Sequence, residues 1–372
     1  MTSELTRTRT ATTLPARAYT DPLIYERERH EVFARAWQLA CHASLVAAAG
    51  TFATVSVAGE PVAVVRGSNG VLRALSNVCR HRASTILRGT GSCPKVLRCP
   101  YHGWTYRQDG QLAAVPEARG FDDLDRDAVR LPGFRVGELA GLVFVCLDEE
   151  AEPLETYFGD LGERLARLRI GDLEPTAPHV ATYEHNWKVI ADNYLEGYHI
   201  PVGHPGLLRL LDYRRYQPTP STRYTWIDGP LRDKPSRNRR ERAYQRLRAP
   251  MPGFPAELTG SWTYVHLWPS TFLDIYPDSI DSWALEPVGI RSTRAVTTVY
   301  HPSTESVRNR LARRLNWTIN DHVMDEDVEL CDGVQRGLES LTYERGVLNR
   351  NEAGIQHFHD QLRAAVPGID TA

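Results

Sequence analysis

The stretch from Cys79 to His102 constrains this chain more than any other part of it. Two short pairs of metal-binding side chains, Cys79-Arg80-His81 and Cys99-Pro100-Tyr101-His102, are separated by seventeen residues. Neither pair sits in a run with helical or strand periodicity, so each belongs on a loop. Each loop offers one soft thiolate and one imidazole. A fold built around this stretch has to bring two loops face to face and fix the orientation of all four side chains.

Two kinds of site take such a donor set. A [2Fe–2S] centre of the Rieske type replaces two cysteines on one iron with two histidines, so one Cys and one His can come from each loop. A structural zinc site accepts the same number of ligands. Zinc motifs commonly pair Cys with Cys and His with His along the chain, whereas here the two types alternate, which favours the iron–sulfur centre.

The flanking sequence suits two supporting domains. At 372 residues with 42% apolar and 24% charged side chains, the chain has ample material for more than one core. Residues Asp21 to Trp37 place Ile24, Phe33 and Trp37 among charges, the pattern of an amphipathic helix. From Gly50 onward come short β-rich runs, Thr51–Ala58, Pro61–Gly67 and Val71–Val78, separated by turn residues. Trp104–Tyr106, an Asp109-Gly110 turn, Gln111–Val115 and Leu142–Leu147 continue the series. The acidic, proline-ended stretch Glu149–Pro153 marks a boundary, after which helical segments mix with strands such as Ser261–Trp268. The expected division is an N-terminal segment at 1–36, a small antiparallel β domain at 37–149 and a mixed α and β domain at 150–372. The basic run Leu231–Arg248 reads as a solvated helix face or a mobile loop, with a lid or docking surface as the alternative.

Charge and composition exclude several partners. Lys+Arg 44 against Asp+Glu 46 leaves a formal charge of −2, with no general attraction for nucleic acid or an anionic membrane. The N-terminus lacks the apolar core of a secretory signal and no apolar run reaches bilayer length, so a cytoplasmic location is expected. Of six cysteines, Cys79 and Cys99 are claimed by the motif. Cys41, Cys146 and Cys331 lie in apolar patterns as buried thiols, and Cys93 falls between the ligand pairs.

A second metal site follows from Asn186–Pro205. His199 and His204 are five residues apart, about 140° out of phase on an ideal helix, but Pro201 and Gly203 between them permit a bend. Two histidines need one carboxylate to complete the facial triad of non-haem Fe(II) oxygenases. Among the acids of the helix expected over Asn316–Leu338, Asp327 falls in the apolar stripe of Met324, Cys331, Val334 and Leu338. A buried carboxylate there is costly unless a cation takes it, while the other acids are expected to face solvent.

These motifs together resemble the Rieske non-haem iron oxygenases. Cys79, His81, Cys99 and His102, with Gly103-Trp104 following, match the family's cluster motif. Asn186, Asp192, Asn193, Glu196, Tyr198, His199, His204 and Pro205 match its iron motif. The resemblance implies an α+β chain, with an antiparallel β Rieske domain followed by a helix-grip catalytic domain. It implies a [2Fe–2S] cluster, a mononuclear iron on His199, His204 and Asp327, and roles at the reaction centre for Asn193 and Glu196. In the family a carboxylate at the latter position, usually Asp, links the second cluster histidine of one subunit to the iron histidine of its neighbour. A His102–Glu196–His199 path and a homotrimer are therefore expected. No nucleotide or flavin signature appears, so electrons should come from a separate NAD(P)H-dependent flavin/iron–sulfur reductase or a ferredoxin. Arg80, Arg82, Arg88, Lys95 and Arg98 could dock its acidic face.

The Glu at the bridge and the Val334–Leu338 ending resemble the branch acting on choline, glycine betaine, carnitine and stachydrine. Monooxygenation with net N-demethylation of a quaternary or N-methyl amine is the resulting expectation. A cation site needs aromatic faces, and Trp262, Tyr264, Trp268 and Phe272 are candidates, with sheet core as the competing role. An aromatic-acid hydroxylase or O-demethylase, a Rieske electron carrier and a ligand-binding protein with a degenerate iron site are the alternatives.

Overall fold

The computed structural model describes residues 11–93 and 95–371. After a single helical turn at Arg17–Thr20 comes a short helix, Pro22–Glu28, capped by the Asp21 side chain on the Leu23 N–H and begun by a proline that needs no donor there. A π-helical turn, Arg29–Phe33, replaces the single long helix that the spacing suggests. The apolar stripe survives this change, with Ile24, Phe33 and Trp37 all buried.

Strands β1 (Gln38–His42), β2 (Thr51–Val57), β3 (Glu60–Arg66), β4 (Leu72–Ser76), β5 (Thr90–Ser92), β6 (Val96–Arg98), β7 (Thr105–Arg107), β8 (Leu112–Ala114), β9 (Gly133–Leu139) and β10 (Leu142–Cys146) follow. They form a seven-stranded sheet, β1-β10-β9-β4-β3-β2-β5, and a three-stranded sheet, β6-β7-β8, both antiparallel. Strand β10 is buried along its whole length. Leu142, Phe144 and Cys146 pack into the largest core, whereas Val143 and Val145 pack into the core of the seven-stranded sheet. Burial on both faces explains a continuous apolar run in place of alternation.

The second lobe is an eight-stranded antiparallel sheet of β11 (Glu174–Pro175), β12 (His179–Tyr183), β13 (Gln217–Pro220), β14 (Tyr224–Pro230), β15 (Ser261–Leu267), β16 (Thr271–Ile275), β17 (Ile280–Gly289) and β18 (Ser292–His301). Its order is β18-β17-β16-β15-β14-β13, with β11 and β12 both paired to β18. A 32-residue helix, Val307–Leu338, packs on this sheet, joining Ala312 and Ile319 to Trp262 and Tyr276 in one cluster. The chain is thus α+β, antiparallel sheets with helices, as its pattern predicts.

The basic run holds a helix, Arg239–Leu247, which is neither a mobile loop nor wholly solvated. Glu241 and Tyr244 are buried on its inner face: Glu241 pairs with Arg209, and Tyr244 donates to Asp278 at 2.7 Å. Among the described residues, no helix is long and apolar enough to cross a membrane.

Candidate active site

The first site lies between two turns. Cys79 follows the end of β4, and its N–H bonds the Ser84 carbonyl; Cys99 follows β6, and its N–H bonds the Trp104 carbonyl at 2.8 Å. Gly103 closes the second turn at φ +72°, a conformation that disfavours side chains. Both thiols are buried, and the His81 and His102 rings approach to 4.7 Å between centroids, with Trp104 stacked on His81. Burial pushes the Cys99 thiol up, but hydrogen bonds from the Tyr101 and His102 backbone and from its Cys79 and Ser84 neighbours bring the net shift down, towards the ligating thiolate.

The His81 Nδ1 atom is buried with no hydrogen-bond partner. A buried imidazole nitrogen left unpaired is costly, and a metal bond satisfies it. The donor set and this orphaned nitrogen therefore fit a Rieske cluster. Tyr106 braces the site through its hydroxyl, which accepts from the Arg80 N–H at 2.9 Å and lies 3.2 Å from Cys79 Sγ. Arg80, Arg82, Arg88, Lys95, Arg98 and His102 are exposed around it.

The second site grows from the end of the helix Trp187–Tyr194. The chain bends through two short helices, Ile200–Gly203 and Pro205–Leu210, and His204 at their junction has non-helical angles of φ −123° and ψ 76°. The bend aims both imidazoles at Asp327 on the 32-residue helix. His199 Nε2 lies 3.7 Å and His204 Nε2 2.9 Å from Asp327 Oδ1. The donors of these three residues all lie within 4.8 Å of one another. Two imidazoles and a carboxylate converging on one point fit a mononuclear iron with open positions.

Each imidazole is also gripped from behind. Glu196 bonds His199 Nδ1, and Glu326 bonds His204 Nδ1 at 2.8 Å. A proton on Nδ1 leaves the Nε2 lone pair facing Asp327. Burial disfavours the imidazolium of His204, yet the two carboxylates outweigh it and raise its pKa, as expected where negative charge is gathered to receive a cation. Glu326 was expected to face solvent and does not; one residue before Asp327, it sits a helical step round and reaches the same imidazole from the other side. Asp321 and Asp325 are exposed, as expected, although both also stand in the lining of the cavity described below; Asp332 bonds His185 at 2.7 Å while its side chain stays half-exposed. Val334 is 52% exposed and leaves the expected apolar stripe, while Cys331 and Leu338 keep it.

A cavity of about 360 Å³ opens beside the triad, lined by His199, His204, Asp327, Asn193 and Glu196 and by the sheet face of β15 to β18. Of the four aromatic candidates only Tyr264 lines it. Trp262 packs against Tyr244 and Tyr276, Trp268 against Phe358, and Phe272 lies behind the wall against Tyr194 and Trp283. Alternate residues share a face, but each step of two advances nearly 7 Å, so one cavity takes only one or two of them. Aromatic walls that sequence reasoning missed include Tyr194, Tyr216, Trp283 and Trp317.

A cluster-binding lobe joined to a lobe with a histidine–carboxylate triad defines a Rieske-type non-haem iron oxygenase. Residues 36–132 match the Rieske [2Fe-2S] domain and residues 170–368 the ring hydroxylating alpha subunit (catalytic domain), and the chain belongs to that family. It is 33% identical to the carnitine monooxygenase oxygenase subunit of Escherichia coli over 95% of this chain and 93% of that one. It is 30% identical to the chloroplastic choline monooxygenase of Arabidopsis thaliana over 94% and 82% of the two chains. The structure of the quaternary ammonium Rieske monooxygenase CntA in complex with L-carnitine superimposes with a TM-score of 0.80, at 29% identity and 96% coverage of both chains.

Proposed function

We infer that the chain is the terminal oxygenase of a multicomponent system and hydroxylates a carbon beside nitrogen in a quaternary or N-methyl amine. The hydroxylated product then collapses to an amine and an aldehyde. The observation that carries this reading is a cavity beside the triad that is walled by aromatic rings and carboxylates and has no Lys or Arg in its lining. Aromatic faces and negative charge suit an ammonium group. An aromatic acid would bring a carboxylate with no cation to meet it, which disfavours that alternative. The relatives named for carnitine and choline point the same way.

In this reading Cys79, His81, Cys99 and His102 hold the cluster, and His199, His204 and Asp327 hold the iron. When bound, the two groups supply O₂ activation and stored reducing equivalents. Glu196 fixes the His199 ring, and the exposed His102 is free to meet a neighbouring subunit of a homotrimer. The division into residues 1–36, 37–149 and 150–372 follows the same scheme. A flavin/iron–sulfur reductase or ferredoxin with an acidic face would dock on the exposed arginines around the cluster, and free cysteines suit a reducing cytoplasm.

Reductant-coupled O₂ uptake on betaines, choline and aromatic acids, with product analysis, tests the reading. Amine and aldehyde are expected, and products from aromatic acids alone would sink it. Iron analysis should give about three irons per chain, whereas about two would indicate an electron carrier. Glu196→Gln should keep both metals and lose coupled turnover; unchanged product formation rules the bridge out.

A further inference from the structure

We propose that Asp274 and Asp281 make the cavity selective for ammonium cations that carry no carboxylate. This rests on the amine reading and narrows it from amines in general to substrates of net positive charge.

Asp274 on β16 and Asp281 on β17 are direct register partners, so their side chains leave the same face of the sheet as neighbours. Both line the cavity. Like charges directly opposite one another repel and burial makes the repulsion worse, so the pair by itself holds on to a proton, and a cation seated between the carboxyls favours their ionised form. The hydrogen-bond donors that meet them are neutral: Tyr194 donates to Asp274 at 2.7 Å, and Ser279 donates to Asp281 at 3.2 Å. Among the lining residues there is no Lys or Arg to balance the pair. Of the other acids in the lining, Asp327 is engaged by both histidines and Glu196 by His199, while Asp321 and Asp325 are exposed to solvent.

The surroundings complete a cation site. Tyr264 is the register partner of Asp274, with Tyr276 two residues further along β16's chain and Trp283 two residues beyond Asp281. Tyr194 closes the wall from its helix, 5.2 Å from Trp283 between ring centroids. Cations are attracted to such faces. The indole N–H of Trp283 approaches Asp274 without a well-formed hydrogen bond and is left unpaired in a residue only 8% exposed. It is a free donor for an uncharged ligand oxygen such as a hydroxyl.

A zwitterion fits less well, because its carboxylate would enter a cavity of like charge. Arg310, Arg313 and Arg314 line a neighbouring cavity that shares Asp281 and Trp317, and Arg313 partly offsets the burial of Asp281. Glu305 holds Arg313 through two bonds of 2.9 and 2.8 Å and lies 3.9 Å from Arg310. Arg314 is the one of the three without an ion pair among the described residues, and it is exposed.

Calorimetric titration of the metal-loaded full chain tests the inference with four probes: tetramethylammonium, choline, L-carnitine, and the uncharged analogue of choline with a quaternary carbon in place of nitrogen. The two cations should bind about tenfold or more tighter than L-carnitine and the uncharged analogue, and Asp274→Asn with Asp281→Asn should erase that preference. The wild-type comparison needs no variant and stands if the double variant fails to fold. L-carnitine binding as tightly as choline, above all if Arg314→Gln weakens it, overturns the inference and leaves the amine reading intact. Equal binding of choline and its uncharged analogue, or a preference that survives in the folded double variant, also overturns it. No binding by any amine, with aromatic acids oxidised, overturns both readings.

Discussion

His204 is held from two sides, with Asp327 2.9 Å from Nε2 and Glu326 2.8 Å from Nδ1. Removing the outer partner leaves the ring free to turn and to change tautomer. Glu326→Ala is therefore expected to lower iron affinity at this site by about 10- to 100-fold, with the Rieske absorption unchanged. Chelator competition measures it, and wild-type affinity in the variant excludes the role. Asp274 supplies a second test. Burial pushes its carboxyl up to about 7, whereas an unfolded chain ionises it near 4. Between those values the unfolded state loses a proton that the folded state keeps, so this group's contribution to stability falls as pH rises from about 4 to about 7. Asp274→Asn should remove a loss on the order of 1–4 kcal/mol, read as a smaller drop in urea-unfolding free energy across that window. Asp278 and Asp281 are shifted the same way, so part of the wild-type slope remains. The candidate metal-binding residues were readable because four of them sit in two compact loops and Asp327 stands out as a charge within an apolar stripe. Asp274, Asp281 and Trp283 were not, because only strand register brings them together and the central strands are buried on both faces, which hides cavity from core.

At the level of elements, close backbone approach decides where the iron-site bend can sit. A Cβ on Gly354, at the start of the helix Ala353–Ala365, would lie 2.2 Å from the carbonyl oxygen of Leu195, the residue before Glu196. Backbone cannot yield as a side-chain tip does. Gly354→Ala should therefore cost about 1–3 kcal/mol in denaturant unfolding and disturb the loop that carries His199. A neutral outcome would mean that the two helices separate freely. The same contact explains why the sequence alone placed the bend through Pro201 and Gly203 but said nothing of what presses on it. Likewise the 32-residue helix starts at Val307, capped by Ser306, nine residues before the expected start. Its first turns carry Val307, Leu311, Ala312 and Leu315 at helical spacing, a signal masked by the arginines between them.

Across the whole molecule, the N-terminal segment is bound to the iron lobe by a buried ion pair. Glu28 and Lys188 are both fully buried with 2.6 Å between charged atoms, and Glu28 also accepts from Trp187 Nε1 at 2.9 Å. Burial pulls the Lys188 pKa down while Glu28 opposes it. Lys188→Met, which leaves Glu28 alone, should cost about 3–5 kcal/mol, and adding Glu28→Gln should recover much of it. A single-variant loss below about 1 kcal/mol in equilibrium unfolding would show that the pair contributes little. Strand β10 carries the same coupling into the interior, since its alternate side chains belong to different cores. That arrangement sets a limit on modular exchange. A cluster lobe grafted from a relative brings its own β10, and with it the three side chains that this strand sends into the recipient's largest core. Recombination will succeed where the crossover falls beyond Cys146 and the facing residues Trp37, Leu154 and Phe158 travel with the graft.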